Sequence, residues 1–152
     1  MLKKFLFYLV CLLPWFLSSV FPVDYDYYKT ISLPFFAPGN WFYIIAWPTV
    51  YILLAFNLYD LFREIGFRCT SWSYRISLFI NYIFNQGYLL VAFGLKSNFL
   101  GFVFCLGNLI SLLFLYEETK EIKTSKLKLL LPYIAISIFA VILSFSIYII
   151  NL

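Results

Sequence analysis

Residues 32–51 read SLPFFAPGNWFYIIAWPTVY, and the passage divides at Asn40. Before it, Pro34 and Pro38 push the residues that precede them away from helix and Gly39 permits a tight turn, so 33–40 is a structured loop. After it comes an aromatic, uncharged run in which Trp47 and Tyr51 stand one helical turn apart, with Asn40 suited to cap a helix that starts at Trp41. Pro48 within the run is expected to kink that helix, because it lacks an amide hydrogen and crowds the preceding turn. No charge appears until Asp60. The run is long enough to cross a hydrocarbon core of ~30 Å, so the loop is an approach to a membrane.

The rest of the chain repeats this pattern. Its 152 residues are 64% hydrophobic and 12% charged, against roughly 25% charged in an average soluble domain, and mean hydropathy is +0.92. Apolar stretches of spanning length fall at approximately 5–22, 41–62, 76–95, 99–116 and 127–150. They are continuous rather than alternating, which favours helices over a barrel. The expectation is an all-α membrane protein, a single five-helix transmembrane domain over 1–152 with its longest loop at 23–40.

Basic residues set the expected orientation. Lys3, Lys4, Arg63, Arg68, Arg75, Lys120, Lys123, Lys126 and Lys128 fall on one side, and Lys29 and Lys96 on the other. Such an asymmetry places the N-terminus in the cytoplasm and the C-terminus outside. It also accounts for the net charge of +4 through attraction to anionic headgroups, so nucleic acid is not an expected partner. The first span has the n-region and h-region of a signal peptide, but no A-x-A-like site follows and it is expected to be retained as a helix.

The chain has no histidine, which removes the usual general base, the histidine-dependent nucleophile arrangements and the commonest metal ligand. Cys11, Cys69 and Cys105 are widely spaced, with no C-x-x-C, and suggest neither a disulfide framework nor a zinc site. Every acidic residue lies near a span end; without a charge at mid-membrane, an ion-coupled pump is not expected. Neither a metal nor a cofactor is expected.

Uncharged polar residues do enter the spans. Asn81, Asn85 and Tyr88 share one face of the third, Ser97, Gly101 and Cys105 recur at intervals of four in the fourth, and Ser137, Ala140 and Ser144 form a narrow stripe in the fifth. Small and amide-bearing residues of this kind pack helices together, within one chain or between two copies. The Asn85 and Tyr88 face is equally what a pocket for a flat apolar ligand needs.

The opening stretch, extended to YYKTISLPFFAPGNWFYIIAWPTVY, resembles the TspO/MBR family, the tryptophan-rich sensory and translocator proteins, at Tyr28, Pro34, Phe36, Pro38, Trp41, Trp47 and Tyr51. NQGYLLVAFGLKS continues the resemblance through Asn85, Phe93 and Gly94, and LPYIAISIFAVILSFSIYIIN through Pro132, Tyr133, Phe139, Ala140, Leu143 and Asn151. Tryptophans of the family pattern are replaced at Tyr27, Tyr88, Ile136 and Tyr148. Ser144 stands where the pattern has Asn, and Gly39 and Ile45 where it has proline.

The resemblance implies a five-helix bundle, often a homodimer, that binds porphyrins such as protoporphyrin IX, sterols in some members, or synthetic flat ligands, as ligand rather than cofactor. It places the pocket under the first loop, with Trp47, Tyr51, Asn85, Tyr88, Ile136, Phe139, Ala140 and Leu143 as its wall. Pro34, Phe36, Pro38 and Trp41 belong to the lid, Trp41 as a support or interface anchor. Trp47 and Tyr88 would stack on a ring system, Asn85 would give one oriented hydrogen bond, and Lys29 could meet a propionate. Loose sterol patterns end at Arg63 and Lys120, and neither lies at the end of the fifth helix, where the family's sterol motif sits.

Light-dependent porphyrin breakdown, associated with some members, needs an oxidisable indole near the macrocycle, and Tyr88 and Ile136 remove two. The expected function is therefore a non-enzymatic receptor or sensor in the bacterial cell membrane. The alternatives are a transporter of such ligands and a porphyrin-degrading enzyme, with a small structural subunit as a fourth reading.

Overall fold

The computed structural model describes residues 2–21, 24, 26–122 and 124–152. Pro22, Val23 and Tyr25, at the end of the expected first span and in the long loop, lie outside the described residues, as do Lys123 and the side chains of residues 124–126. Among the described residues every regular element is helical: α1 (Leu2–Leu12), α2 (Tyr27–Thr30), α3 (Asn40–Ile65), α4 (Trp72–Leu89), α5 (Asn98–Ile122) and α6 (Leu131–Ile150). A 3-10 segment, Leu13–Val20, prolongs α1; a π turn, Leu90–Gly94, ends α4; and 3-10 turns at Phe67–Cys69 and Thr124–Leu129 precede α4 and α6. With these extensions five helices are long and apolar enough to cross a membrane: Leu2–Val20, Asn40–Ile65, Trp72–Gly94, Asn98–Ile122 and Leu127–Ile150. The protein is an all-α, five-span membrane protein.

Local chemistry explains where the boundaries depart from expectation. Gly39, not Asn40, occupies the N-cap of α3, its carbonyl accepting the Phe42 amide at 3.0 Å. The helix continues through Pro48 without interruption, and the Thr49 hydroxyl bonds the Ile45 carbonyl at 2.8 Å beside the missing amide. α5 runs on to Ile122, beyond the expected end at residue 116. Its Glu118 carboxylate accepts from the Ser71 hydroxyl at 2.8 Å and from Ser73, at the N-terminus of α4, where an anion also opposes the helix dipole. Ser71 caps α4 through the Tyr74 amide at 2.9 Å.

Pro14 marks the change from α to 3-10 geometry in the first span. Eight residues is long for a 3-10 helix, and within a bilayer its polar backbone needs partners. Gln86 of α4 supplies both: its Oε1 accepts from the Ser18 amide at 2.8 Å and its Nε2 donates to the Trp15 carbonyl at 3.0 Å. The Tyr82 hydroxyl adds a bond to the Pro14 carbonyl at 3.1 Å.

The apolar core gathers Val50, Leu54, Ala55, Leu58 and Leu61 of α3 against Leu112 and Leu115 of α5, with Trp15, Tyr74, Leu130 and Tyr133 around them. α4 and α5 pack by reciprocal insertion. Phe104 lies over Gly87 and Phe84 over Gly107, and the two phenyl rings meet edge to face at 5.3 Å. The small-residue stripe of α5 is used inside the chain: Gly101 faces Ala92 and Tyr88, and Cys105 is buried. Trp41 and Trp72 are 66% and 70% exposed at the starts of α3 and α4.

A methyl group on Gly107 would sit 2.5 to 2.7 Å from three ring atoms of Phe84. Gly107→Ala is expected to lower stability by about 1–2 kcal/mol, because overpacking outweighs the gain of ~1 kcal/mol in helix propensity. Thermal unfolding in detergent checks this, and adding Phe84→Leu should restore most of the loss.

Candidate functional site

The loop between the first two spans is folded onto the bundle and held at two points. Near its start, the Asp24 carboxylate pairs with Lys96 at 2.9 Å, and the Tyr27 hydroxyl bonds Asn98 Oδ1 at 3.2 Å, joining the loop to the α4–α5 turn. Lys96 there has a positive φ of 53°, a conformation that ends a helix but is uncommon outside glycine. Further along, the Asn151 carboxamide grips the backbone of Ser32: Oδ1 accepts its amide and Nδ2 donates to its carbonyl, both at 2.8 Å. Between the latches Tyr28 packs on Phe93 of the π turn; beyond Ser32, Pro34 is buried and Phe36 meets Phe139 of α6 at 6.5 Å. Phe139 also receives Phe42 of α3 at 5.6 Å.

Under this lid lies a phenolic layer. Tyr88 lies near Tyr28, Tyr43 and Cys105, and Cys105 near Ser144. The remaining space, bounded by Tyr27, Tyr28, Tyr88, Phe93, Gly101 and Ile147, is about 20 Å³, room for about one water. A larger apolar groove of about 600 Å³, between Val10, Leu13, Leu17 and Tyr82, opens on the outer face of the bundle, where lipid lies.

Below the phenolic layer is a buried hydrogen-bond hub that joins every span. Tyr133 of α6 is at its centre: its hydroxyl accepts from Asn85 Nδ2 at 2.9 Å and has Asn108 Oδ1 at 2.8 Å and Asn81 Oδ1 at 3.1 Å as acceptors. Asn85 Oδ1 accepts from the Tyr51 hydroxyl and from Gln86 Nε2, each at 2.8 Å. Asn81 Nδ2 donates to the Asn108 carbonyl at 3.0 Å, and Asn108 Nδ2 to Ser137 Oγ at 3.2 Å.

The residues named from sequence therefore divide between two layers. Tyr51 and Asn85 are members of the hub, and Trp47 packs on it, 5.9 Å from Tyr51 and edge-on to Tyr133 at 6.5 Å. Ile136 packs against the same core. Tyr88 belongs to the phenolic layer, and Phe139 touches the lid. Leu143 is buried and Ala140 half-buried on α6 between those levels. Asn85 has at most one amide N–H left for a ligand. Trp41 is exposed at the head of α3, and Lys29 points to solvent in a 2.6 Å pair with Asp26. Sequence reasoning did not single out Tyr28, Tyr43, Gln86 and the partners Lys96 and Asn151 as site residues. Tyr28 and Asn151 did give a signal, as matched positions of the family resemblance.

A helical membrane bundle with a loop latched over an aromatic interior is the class these features define. Within that class the chain belongs to the TspO/MBR family, whose model matches residues 7–149. Among its relatives is the Tryptophan-rich protein TspO of Bacillus cereus, 31% identical over 134 residues that cover 88% of this chain and 86% of that one. The Tryptophan-rich protein TspO of Archaeoglobus fulgidus is 29% identical, covering 82% and 80%. The Bacillus subtilis membrane protein YtaB is also 29% identical, over 88% and 85%.

Two outcomes are expected. Tyr133→Phe strips the hub of its central hydroxyl and leaves Asn85 and Asn108 short of a partner inside the bundle. The cost should be about 1–3 kcal/mol, read as a lower denaturation midpoint with an unchanged helical spectrum. The second concerns pH. The Lys96 ammonium, through its hydrogen bond above all, holds the Asp24 carboxyl below its ordinary range, with help from the Asp26 and Tyr27 amides. A lowered folded pKa means that the latch contributes fully above the ordinary aspartate value of about 4 and is lost as pH falls through the lower folded value. Amide exchange across residues 26–39, taken relative to the intrinsic rate at each pH, should stay slow from pH 7 to 5 and quicken only in stronger acid. Lys96→Ala should quicken it at neutral pH.

Proposed function

We propose that this protein is a non-enzymatic membrane receptor for flat hydrophobic tetrapyrroles such as protoporphyrin IX, taken into the bundle under the lid. One observation carries the reading: the lid is held to the bundle by polar latches and, with its own Tyr28, covers an aromatic layer at Tyr43, Tyr88, Phe93 and Phe139. Membership of the TspO/MBR family supports it. The space of about 20 Å³ under the closed lid means that a ligand enters only as the lid lifts and its rings are replaced by the ligand's own. Aromatic area is all that stacking needs, so the loss of family tryptophans at Tyr88 and Ile136 is compatible with binding in the dark. The same proposal has the basic side in the cytoplasm and the protein acting as a homodimer.

A structural role is the second reading, favoured by the closeness of that packing: a bundle that fills its own interior needs no ligand to be stable. Titration of the purified protein with protoporphyrin IX in the dark, following tryptophan fluorescence, separates the two. The receptor reading expects saturable micromolar quenching, weakened by Trp47→Phe and Phe139→Ala at unchanged thermal stability. It also expects no loss of porphyrin absorbance under light beyond a protein-free control. Quenching that never saturates would leave the structural role.

A further inference from the structure

We propose that the tip of the lid, Leu33 and Phe35, is inserted into the lipid leaflet beside α6, so that the lid is a membrane-bound element and not a cover facing water. The register of the lid along α6 is the first argument. Ser32 is bonded to Asn151, just past the end of α6, whereas Phe36 meets Phe139, eleven residues before that end at Ile150. At a rise of 1.5 Å per residue those eleven residues amount to ~16 Å along the helix. Phe139 also lies at the middle of the fifth span, Leu127–Ile150. Residues 32–36 thus descend along the half of α6 that crosses the leaflet on the lid side.

Exposure supplies the second argument. Pro34 turns inward, but Phe35 is wholly exposed at 101% and Leu33 is 41% exposed. A phenylalanine left in water forgoes the stabilisation that burying its apolar surface brings, and at this depth what surrounds it is acyl chain. The patch is continuous in level with the lipid-facing start of α3, where Trp41 and Ile44 are 66% and 71% exposed.

The backbone is suited to that setting, in which an unpaired amide is costly. Pro34 and Pro38 carry no N–H at all. Asn151 satisfies both polar groups of Ser32, and the Ala37 amide bonds the Pro34 carbonyl at 2.9 Å. The proline content of the lid is thus a reduction of donors as well as a stiffening. None of this depends on which ligand, if any, the lid covers.

The test places a nitroxide at position 35, using Phe35→Cys in a chain carrying Cys11→Ala, Cys69→Ser and Cys105→Ala, reconstituted in phosphatidylcholine bilayers. Lys29→Cys serves as the aqueous reference and Ile142→Cys as the lipid reference. Collision with oxygen relative to a water-soluble nickel chelate should be several-fold higher at 35 than at 29 and close to that at 142. A ratio at 35 equal to that at 29 would overturn the proposal. Should the cysteine-free chain fail to fold, Phe35→Trp in the otherwise native chain gives the same decision. Lipids brominated on their acyl chains should quench a larger share of its emission than in the parent protein, and an added emission that bromine leaves untouched would overturn it.

Discussion

The Tyr133 hydroxyl and the three asparagines around it fix how the helices sit against one another. In a bilayer, lipid tails satisfy apolar surface as well as other helices do, so hydrophobicity gives the bundle no preferred rotation or register. Directional bonds do. Tyr133 has one hydrogen to donate and two amide oxygens in reach, on Asn81 and Asn108, while it accepts from Asn85. Rotating α4 by one residue would point Asn81 and Asn85 into lipid together, because they share a face. Tyr51 brings in α3 through Asn85, and Gln86 brings in the 3-10 half of the first span. The five spans are therefore held in one register, inside the bundle, by uncharged groups.

That placement limits where space remains. The hub fills the bundle between the Trp47 level and the apolar core of α3 and α5, so what space is left lies above it, between the hub and the lid. The helices are graded to match: Phe42, near the start of α3, stands level with Phe139, in the middle of α6. Above that level α4, α5 and α6 continue without α3 beside them. The lid fills the step, with Tyr28 on the π turn and Phe36 on α6. Loop and cavity are one feature, since the loop's own aromatic side chains are what occupy the space.

The spans were legible in the sequence because hydropathy is a one-dimensional signal that survives without knowledge of neighbours. Their ends were less so: α5 passes residue 116 into a charged stretch because Glu118 finds Ser71 and Ser73 on another helix. For the hub, the shared face of Asn81 and Asn85 could be read from spacing, and their partners could not. Pairing Asn81 with Asn108 and Tyr133 depends on the rotation of three helices about their axes. The lid latches were least legible, joining Asp24 to Lys96 and Ser32 to Asn151, the latter 119 residues apart. No periodicity connects such positions. Asn85 could be picked out as a polar group facing inward, but spacing does not reveal that Tyr51, Gln86 and Tyr133 already engage it.

One device solves the same problem twice. Irregular backbone at membrane depth strands amides and carbonyls that a regular helix would pair within itself, and this chain has two such segments, the 3-10 half of the first span and the descending limb of the lid. Each is clasped by a single carboxamide acting as a substitute peptide group. Gln86 accepts from Ser18 and donates to Trp15, and Asn151 accepts from and donates to Ser32. A carboxylate or ammonium could meet only half of each demand and would bring a desolvation cost that a neutral amide avoids. Proline does the complementary work by deleting donors, at Pro14 in one segment and at Pro34 and Pro38 in the other. Gln86 lies at the interior hub, whereas Asn151 lies at a helix end with one exposed backbone residue as its partner. The same chemistry is thus permanent in the first span and releasable at the lid.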